Sequence, residues 1–477
     1  MFQIIKDMKK IFLAFLICFI NICSYAQITI SKADALIKSY VLSKSDYADC
    51  WIFRYNSSAN IKLLYNESIV IPNNTFVYVV TRNPEQSWID GYEYYFVNKS
   101  NGSISKQKVT NSPQTFENWM RIYGNDFTID NKTFNFESNK ARTRQKLMKA
   151  NIGNQSHNYA VIISGGANKL YNHLRYWNNC SAIYKILKKY YGYKDSDIYV
   201  LMSDGKSNSE DRNITSSVKN PKYDSSPLDL DGDGICDVDY AATKSNITDV
   251  FNQLAVKLTS NDNLFIFTTD HGNKGPNLCL WDGELMNDIE FAKEVDKVNA
   301  GYMSILMIQC YSGGFIDKLA KKNRVIMTAA SGDETAWSNT YYNHGYFLMP
   351  WIAALTGMDI NGKEVNADAN NDGKISMCEA FIYAKEHDEY AINGKEHPQY
   401  KSISLSLGEH LTLNGCDCKP KYIENRTIST NTTITGCDIE LSNVTIKNNS
   451  SVTIDAEETT VINGPFEVEL GATFEIK

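Results

Sequence analysis

Positive charge is scarce in this chain: 48 Lys and Arg stand against 55 Asp and Glu, a formal net charge of −7. No basic stripe runs along any segment, so the electrostatic footprint of a nucleic-acid binder is missing. Long apolar runs are missing too. Only residues 11–23 are continuously apolar, apart from Asn21, and about 13 residues fall short of the roughly 20 that span a bilayer. Lys6, Lys9 and Lys10 precede that run and Ser24-Tyr25-Ala26 follows it. Residues 1–26 therefore read as a signal peptide cleaved before Gln27. Cys18 and Cys23 each follow an isoleucine, which argues against lipoprotein processing. The expectation is a secreted or cell-surface protein with no transmembrane helix in the mature chain. Of the 11 cysteines, those outside the leader are odd in number, so at least one thiol is unpaired. Cys416, Cys418 and Cys437 lie close together and are candidates for bridging in an oxidising compartment.

The remaining length is too great for one ordinary domain and divides into three units. Residues 27–138 form an N-terminal α+β accessory or pro-domain: 30–43 has helical apolar spacing, while 75–81 and 92–97 alternate as strands. The second strand runs into a hairpin with Asn101-Gly102 at its turn. A polar basic stretch, 139–146, follows and reads as an exposed, cleavable junction. Residues 155–415 alternate strand and helix. Strands are predicted at 159–164, 197–202, 264–268, 304–308 and 324–328, with helices at 180–191, 247–258, 289–295 and 315–321. Such alternation means crossovers, hence a doubly wound, mostly parallel sheet with helices on both faces. Residues 419–477 change character to short runs of Thr, Ile and Val broken by Asn and Gly, as in a small β-solenoid or sandwich.

Two strand ends carry the chemistry. Residues 264–273 read LFIFTTDHGN and residues 304–315 read SILMIQCYSGGF. Each is an apolar strand that stops at a reactive side chain, His271 or Cys310, with glycine shortly behind it. In open α/β sheets ligands bind beyond the carboxyl ends of the strands, so both residues are expected on one rim. A cysteine and a histidine there form a nucleophile and base pair. A lone buried thiol or imidazole is usually structural; the pairing of the two is what points to chemistry. The glycines let backbone N–H groups approach a substrate carbonyl without a Cβ in the way.

On these residues the second unit resembles the legumain family of cysteine peptidases, within the larger group that includes caspases, clostripain and gingipains. The resemblance rests on Tyr159-Ala160-Val161-Ile162-Ile163-Ser164-Gly165-Gly166 leading to Leu170-Tyr171-Asn172, on Thr269-Asp270-His271-Gly272, and on Gln309-Cys310-Tyr311-Ser312-Gly313. Thr328-Ala329-Ala330 followed by Glu334 adds a weaker match. It implies a caspase-like fold, Cys310 as nucleophile, His271 as acid/base and Asn172 orienting the histidine. It also implies an oxyanion hole from the N–H groups of Gly272 and Cys310. The family's specificity pocket does not carry over: Leu174 stands where an arginine is expected, with Arg175 one step later, and Thr335 and Ala336 replace paired serines. The side chain preferred before the cut is therefore open. The helix-then-sheet pattern of the first unit resembles, more distantly, the prodomains of secreted bacterial peptidases.

Two acidic loops suggest calcium as a structural cofactor. Asp368, Asn370, Asp372, Lys374, Ser376 and Glu379 occupy the ligand positions of an EF-hand loop, with Gly373 at the turn and Ile375 packing the loop. Asp229, Asp231, Asp233 and Asp237 form a shorter loop that lacks the closing glutamate, Tyr240 standing there. Its like charges repel unless a cation sits among them. The leading reading is a secreted, calcium-stabilised cysteine endopeptidase acting on a protein or peptide substrate, with no nucleic acid involved. Its C-terminal unit is available for cell-surface or matrix contact. The alternatives are a transpeptidase or transamidase using the same acyl-enzyme, and a non-catalytic surface protein on a peptidase scaffold.

Overall fold

The structure, a computed structural model, describes residues 27–44, 47, 50–63, 67–81, 92–109, 113–116, 118–124, 132–150, 157–215, 221–339, 343–404, 406–416 and 418–477. The expected signal peptide, 1–26, lies outside the described residues. No helix among them is long and apolar enough to cross a membrane. The chain separates into two compact units, 1–84 with 89–126 and 127–477 with 85–88.

In the first unit, helix α1 (Ile30–Leu42) is capped by Thr29, whose hydroxyl accepts the Lys32 N–H. It lays Ala33, Ile37 and Val41, one helical face, into a small core. The sheet beneath is antiparallel, built from β1 (Trp51–Tyr55), β2 (Thr75–Thr81), β3 (Tyr92–Asn98), β4 (Ile104–Val109) and β5 (Trp119–Tyr123) in the order β4-β3-β2-β1-β5. Gly102 takes a φ of 75° in the turn between β3 and β4, which a side chain would strain.

The second unit begins with a correction. The basic stretch expected as an exposed junction is helix α2 (Asn139–Ala150). Ser138 caps it, its hydroxyl accepting from the Ala141 N–H at 3.1 Å, and Ala141 is fully buried. The segment holds good helix formers and neither Gly nor Pro, so its charge did not make it a linker.

The central sheet comprises β6 (His157–Ser164), β7 (Ile198–Met202), β8 (Asp262–Thr269), β9 (Tyr302–Met307), β10 (Arg324–Thr328) and β11 (Gln399–Ser402). Their spatial order is β11-β10-β9-β8-β6-β7, parallel throughout except for β11 at one edge. Helices α3 (Leu174–Lys189), α4 (Lys244–Lys257), α5 (Asp288–Val295), α6 (Leu348–Thr356) and α7 (Met377–His387) cover its two faces. Alternation along β8 divides the core: Phe265 and Phe267 pack with α3, α6 and α7, while Leu264 and Ile266 pack with α4 and α5. Because both faces are covered, every residue of β8 is buried, and its centre, 264–267, is a continuous apolar run. The chain leaves β6 for β7 on one side and returns to β8 on the other. The switch point between β6 and β8 opens a crevice at their carboxyl ends.

Beyond the sheet, β12 (Lys421–Ile428), β13 (Thr432–Ile446), β14 (Ser451–Ile462), β15 (Phe466–Val468) and β16 (Thr473–Ile476) pair only in parallel. Lys421 faces Ile439, Thr432 faces Val452 and Val444 faces Phe466, the pairing of a chain wound as a solenoid. A disulfide joins Cys418 to Cys437, and Cys416 remains a buried thiol.

Candidate active site

At the end of β8 the backbone turns sharply, Asp270 taking a φ of 99°, a conformation costly for any residue but glycine. Its carboxylate holds the turn from inside, accepting from the His271 N–H at 2.6 Å and the Ser164 hydroxyl at 3.3 Å. Burial pushes the Asp270 carboxyl up to about 8, against the pull of those hydrogen bonds and of Arg175. The turn delivers His271, which is 1% exposed. His271 Nε2 lies 3.0 Å from the carbonyl oxygen of Tyr171. A carbonyl only accepts, so Nε2 carries the proton and Nδ1 is left as the basic nitrogen. The Tyr176 hydroxyl lies 3.2 Å from Nδ1 and itself accepts from Arg175 Nη2 at 2.6 Å. Burial, and then the Arg175 charge, push the imidazole well below its ordinary range.

Cys310 follows β9, and Tyr311 after it turns the chain with a φ of 59°. The thiol is 6% exposed and its sulfur lies 3.8 Å from the Ala336 carbonyl. Burial pushes it up to about 12; Glu396 adds to the rise, while backbone hydrogen bonds from Ala336 and Gly272 to the sulfur, and the Arg175 charge, oppose it. Gly272 is required here: a Cβ on it would lie 1.9 Å from the Cys310 carbonyl oxygen. The strand ends therefore lie back to back, with the Gly272 N–H at the nucleophile. Cys310, His271 and Asp270 line one cleft together with Arg175, Tyr176, Asn179, Thr269, Trp337 and Ser338.

Asn172 sits after β6, as the alignment of motifs implies, but its amide points elsewhere. Nδ2 donates to the Ser203 hydroxyl at 2.7 Å and the Asp211 carbonyl at 2.9 Å. The group on the His271 ring is the carbonyl one residue earlier. Asn172 thus pins the segment that presents that carbonyl. Tyr171, Arg175 and Tyr176 were missed from sequence. A signal existed, since an aromatic four residues past Asn172 lies on the first turn of α3 beside the strand ends, yet aromatic residues are too common in this chain for it to stand out.

The two acidic loops lie apart from the cleft lining. Asp229, Asp231 and Asp237 each bring a ligand oxygen within 4.8 Å of the others. Lys188 on α3 reaches Asp231 at 2.8 Å and Asp233 at 3.0 Å, so an ammonium already stands among these carboxylates. In the second loop Asp368 accepts from the N–H groups of Asp372 and Gly373 at 3.1 and 2.9 Å, and Asn370 Oδ1 from Asp372 at 3.0 Å. Glu379 closes a capping box with Ser376 at the start of α7, and its other oxygen accepts from Ala369 at 2.8 Å. The Lys374 N–H donates to Asp372 at 2.8 Å. These hard oxygen donors suit calcium.

Residues 158–388 match the family described as Peptidase C13. The chain is also 29% identical over 201 residues to the vacuolar-processing enzyme delta-isozyme of Arabidopsis thaliana, a match covering 38% of this chain and 41% of that protein. It thus spans about two fifths of the length of the curated relative it matches. Residues 158–388, which carry both strand ends, the parallel strands and the crevice, are a Peptidase C13 (legumain) family domain.

Proposed function

We propose that this chain is a secreted cysteine endopeptidase in which Cys310 attacks the peptide carbonyl and His271 Nδ1 takes the thiol proton. The Gly272 N–H then stabilises the oxyanion, and the protonated histidine passes its proton to the leaving amine. Water hydrolyses the thioester by the reverse proton route. The observation that carries this reading is the convergence of two strand ends on one cleft, with the Gly272 N–H at the Cys310 sulfur and a histidine whose Nε2 lies against the Tyr171 carbonyl. Calcium in the two acidic loops acts on stability, since neither loop lines the cleft and a thiol nucleophile needs no Lewis acid; an ion among Asp229, Asp231 and Asp237 displaces Lys188.

The test is Cys310→Ala beside His271→Ala. Both should abolish cleavage of a peptide library and labelling by a peptidyl acyloxymethyl ketone, with the fold retained by circular dichroism. Mass spectrometry of the products separates hydrolysis from transfer to an added amine. Robust turnover by Cys310→Ala sinks the assignment.

A further inference from the structure

The wall of the cleft that faces Cys310 is a single peptide unit shared by two buried groups. Its carbonyl, on Ala336, accepts from the Cys310 thiol at 3.8 Å; its N–H, on Trp337, donates to Glu396 Oε2 at 3.1 Å. Glu396 is 0% exposed, and its Oε1 has no hydrogen-bond partner. Asp388, equally buried, leaves Oδ2 without one. The two carboxyls are close enough for the charge of Asp388 to act on Glu396. Among the described residues no cation pairs with either. Glu334, the third acid acting on Glu396, is already matched by His397 at 2.7 Å. Arg175, the cation lining the cleft, donates to the Tyr176 hydroxyl. Burying carboxylates without a counter-charge is costly, and burial pushes both carboxyls up, toward the neutral form; a cation brought to them would draw out their charge.

The frame beside them suits a cation as well. Trp337 packs on Tyr390 with ring centroids 4.6 Å apart, and Tyr346 packs on the same ring at 4.3 Å. The Lys395 ammonium already lies 5.0 Å over Tyr390, so this aromatic shelf holds positive charge by its face. A substrate whose scissile carbonyl sits at Cys310 must run its backbone along 336–338, because the thiol lies against Ala336. The 336–337 peptide unit then stands between that backbone and Glu396.

We propose that Glu396, supported by Asp388, is the specificity residue of this cleft and that the site takes arginine or lysine before the scissile bond. The inference rests on the peptidase reading. Glu396 Oε1 and Asp388 Oδ2 are left without a partner, and a carboxamide would bring them N–H groups but no charge. A guanidinium supplies the missing charge and stacks on the aromatic frame.

The experiment measures kcat/KM on coumarin peptides that differ only in the last residue, Arg, Lys, Asn, Asp or norleucine, with active-site titration of Cys310 counting competent enzyme. The wild-type protein should favour Arg and Lys over Asn and norleucine by at least about tenfold. In Glu396→Gln the Arg-to-norleucine ratio should fall on the order of a hundredfold, and in Asp388→Asn the same ratio should fall by less. Preference for Asn, Asp or norleucine in the wild type, or an unchanged ratio in titratable Glu396→Gln, overturns the proposal. If Glu396→Gln yields no titratable thiol, the wild-type profile and Asp388→Asn decide. No cleavage of any substrate, together with no labelling by Arg or Asn probes, overturns the peptidase reading itself.

Discussion

Alkylation of Cys310 should rise with pH without a plateau at neutral or acid pH. Burial moves the thiol from its ordinary 9.0 to about 12, a bias of about 4 kcal/mol toward the protonated form. At pH 7 roughly one thiol in 10⁵ is ionised. The imidazole is displaced the other way, well below its ordinary range, first by burial and then by Arg175. The two shifts have opposite signs and the same consequence: the resting pair is a neutral thiol beside a neutral imidazole, and the proton moves only during attack. Iodoacetamide reactivity should therefore climb about tenfold per pH unit across the accessible range, because only the thiolate reacts. Since other cysteines lie outside the Cys418–Cys437 bridge, the rate is read by mass spectrometry on the peptide carrying Cys310, with exposed Cys236 as internal standard. A thiolate–imidazolium pair would instead give a flat rate from acid to neutral pH that collapses in His271→Ala. A plateau below about pH 7 in the native protein, lost in that variant, refutes the assignment of a neutral pair.

Other perturbations should follow from single contacts. Gly272→Ala drives a Cβ against the Cys310 carbonyl oxygen, backbone against backbone, and should cost more than about 2 kcal/mol by thermal unfolding together with loss of the titratable active thiol. Asn172→Ala leaves the Ser203 hydroxyl and the Asp211 carbonyl without the buried amide they share; unfolding free energy should drop by about 1–3 kcal/mol, and activity should fall through displacement of the Tyr171 carbonyl. A chelator should lower Tm while low-temperature peptidase rates hold, since an ion that binds only the folded state contributes about 2.7 kcal/mol at one hundred times its dissociation constant. Asp372→Ala, Glu379→Ala and Asp231→Ala should reproduce parts of that drop, and activity lost on chelation with no change in Tm would contradict the stabilising role.

The sheet was legible because burial on both faces forces continuous apolar runs. The run predicted at 264–268 sits inside the observed Asp262–Thr269, and 324–328 coincides with Arg324–Thr328. His271 and Cys310 were legible for the same reason, as polar breaks at the ends of those runs. What sequence could not convey were contacts made through the backbone or across the fold. The Tyr171 carbonyl has no side-chain signature. Tyr176 is one of 29 tyrosines, and only the α3 crossover from β6 to β7 brings it to the imidazole. The basic stretch misled because charge was read as a linker: Lys140 and Arg142 are exposed, as their charge implies, but Ala141 between them is buried and the segment is helical.

Desolvation links these features. Packing both strand ends under α3 and the 336–338 wall leaves His271 at 1% and Cys310 at 6% exposure, and the low dielectric that results disfavours any isolated charge. The same environment strengthens the Gly272 N–H on a developing oxyanion, where water would have competed for it. A buried neutral pair is slow to react with solvent-borne electrophiles, yet it acquires its driving force when a peptide carbonyl fills the cleft and charge develops at fixed donors. Selectivity for bound substrate over free electrophile is thus a property of the burial itself, and opening the wall by shortening Trp337 should raise iodoacetamide reactivity while lowering kcat/KM.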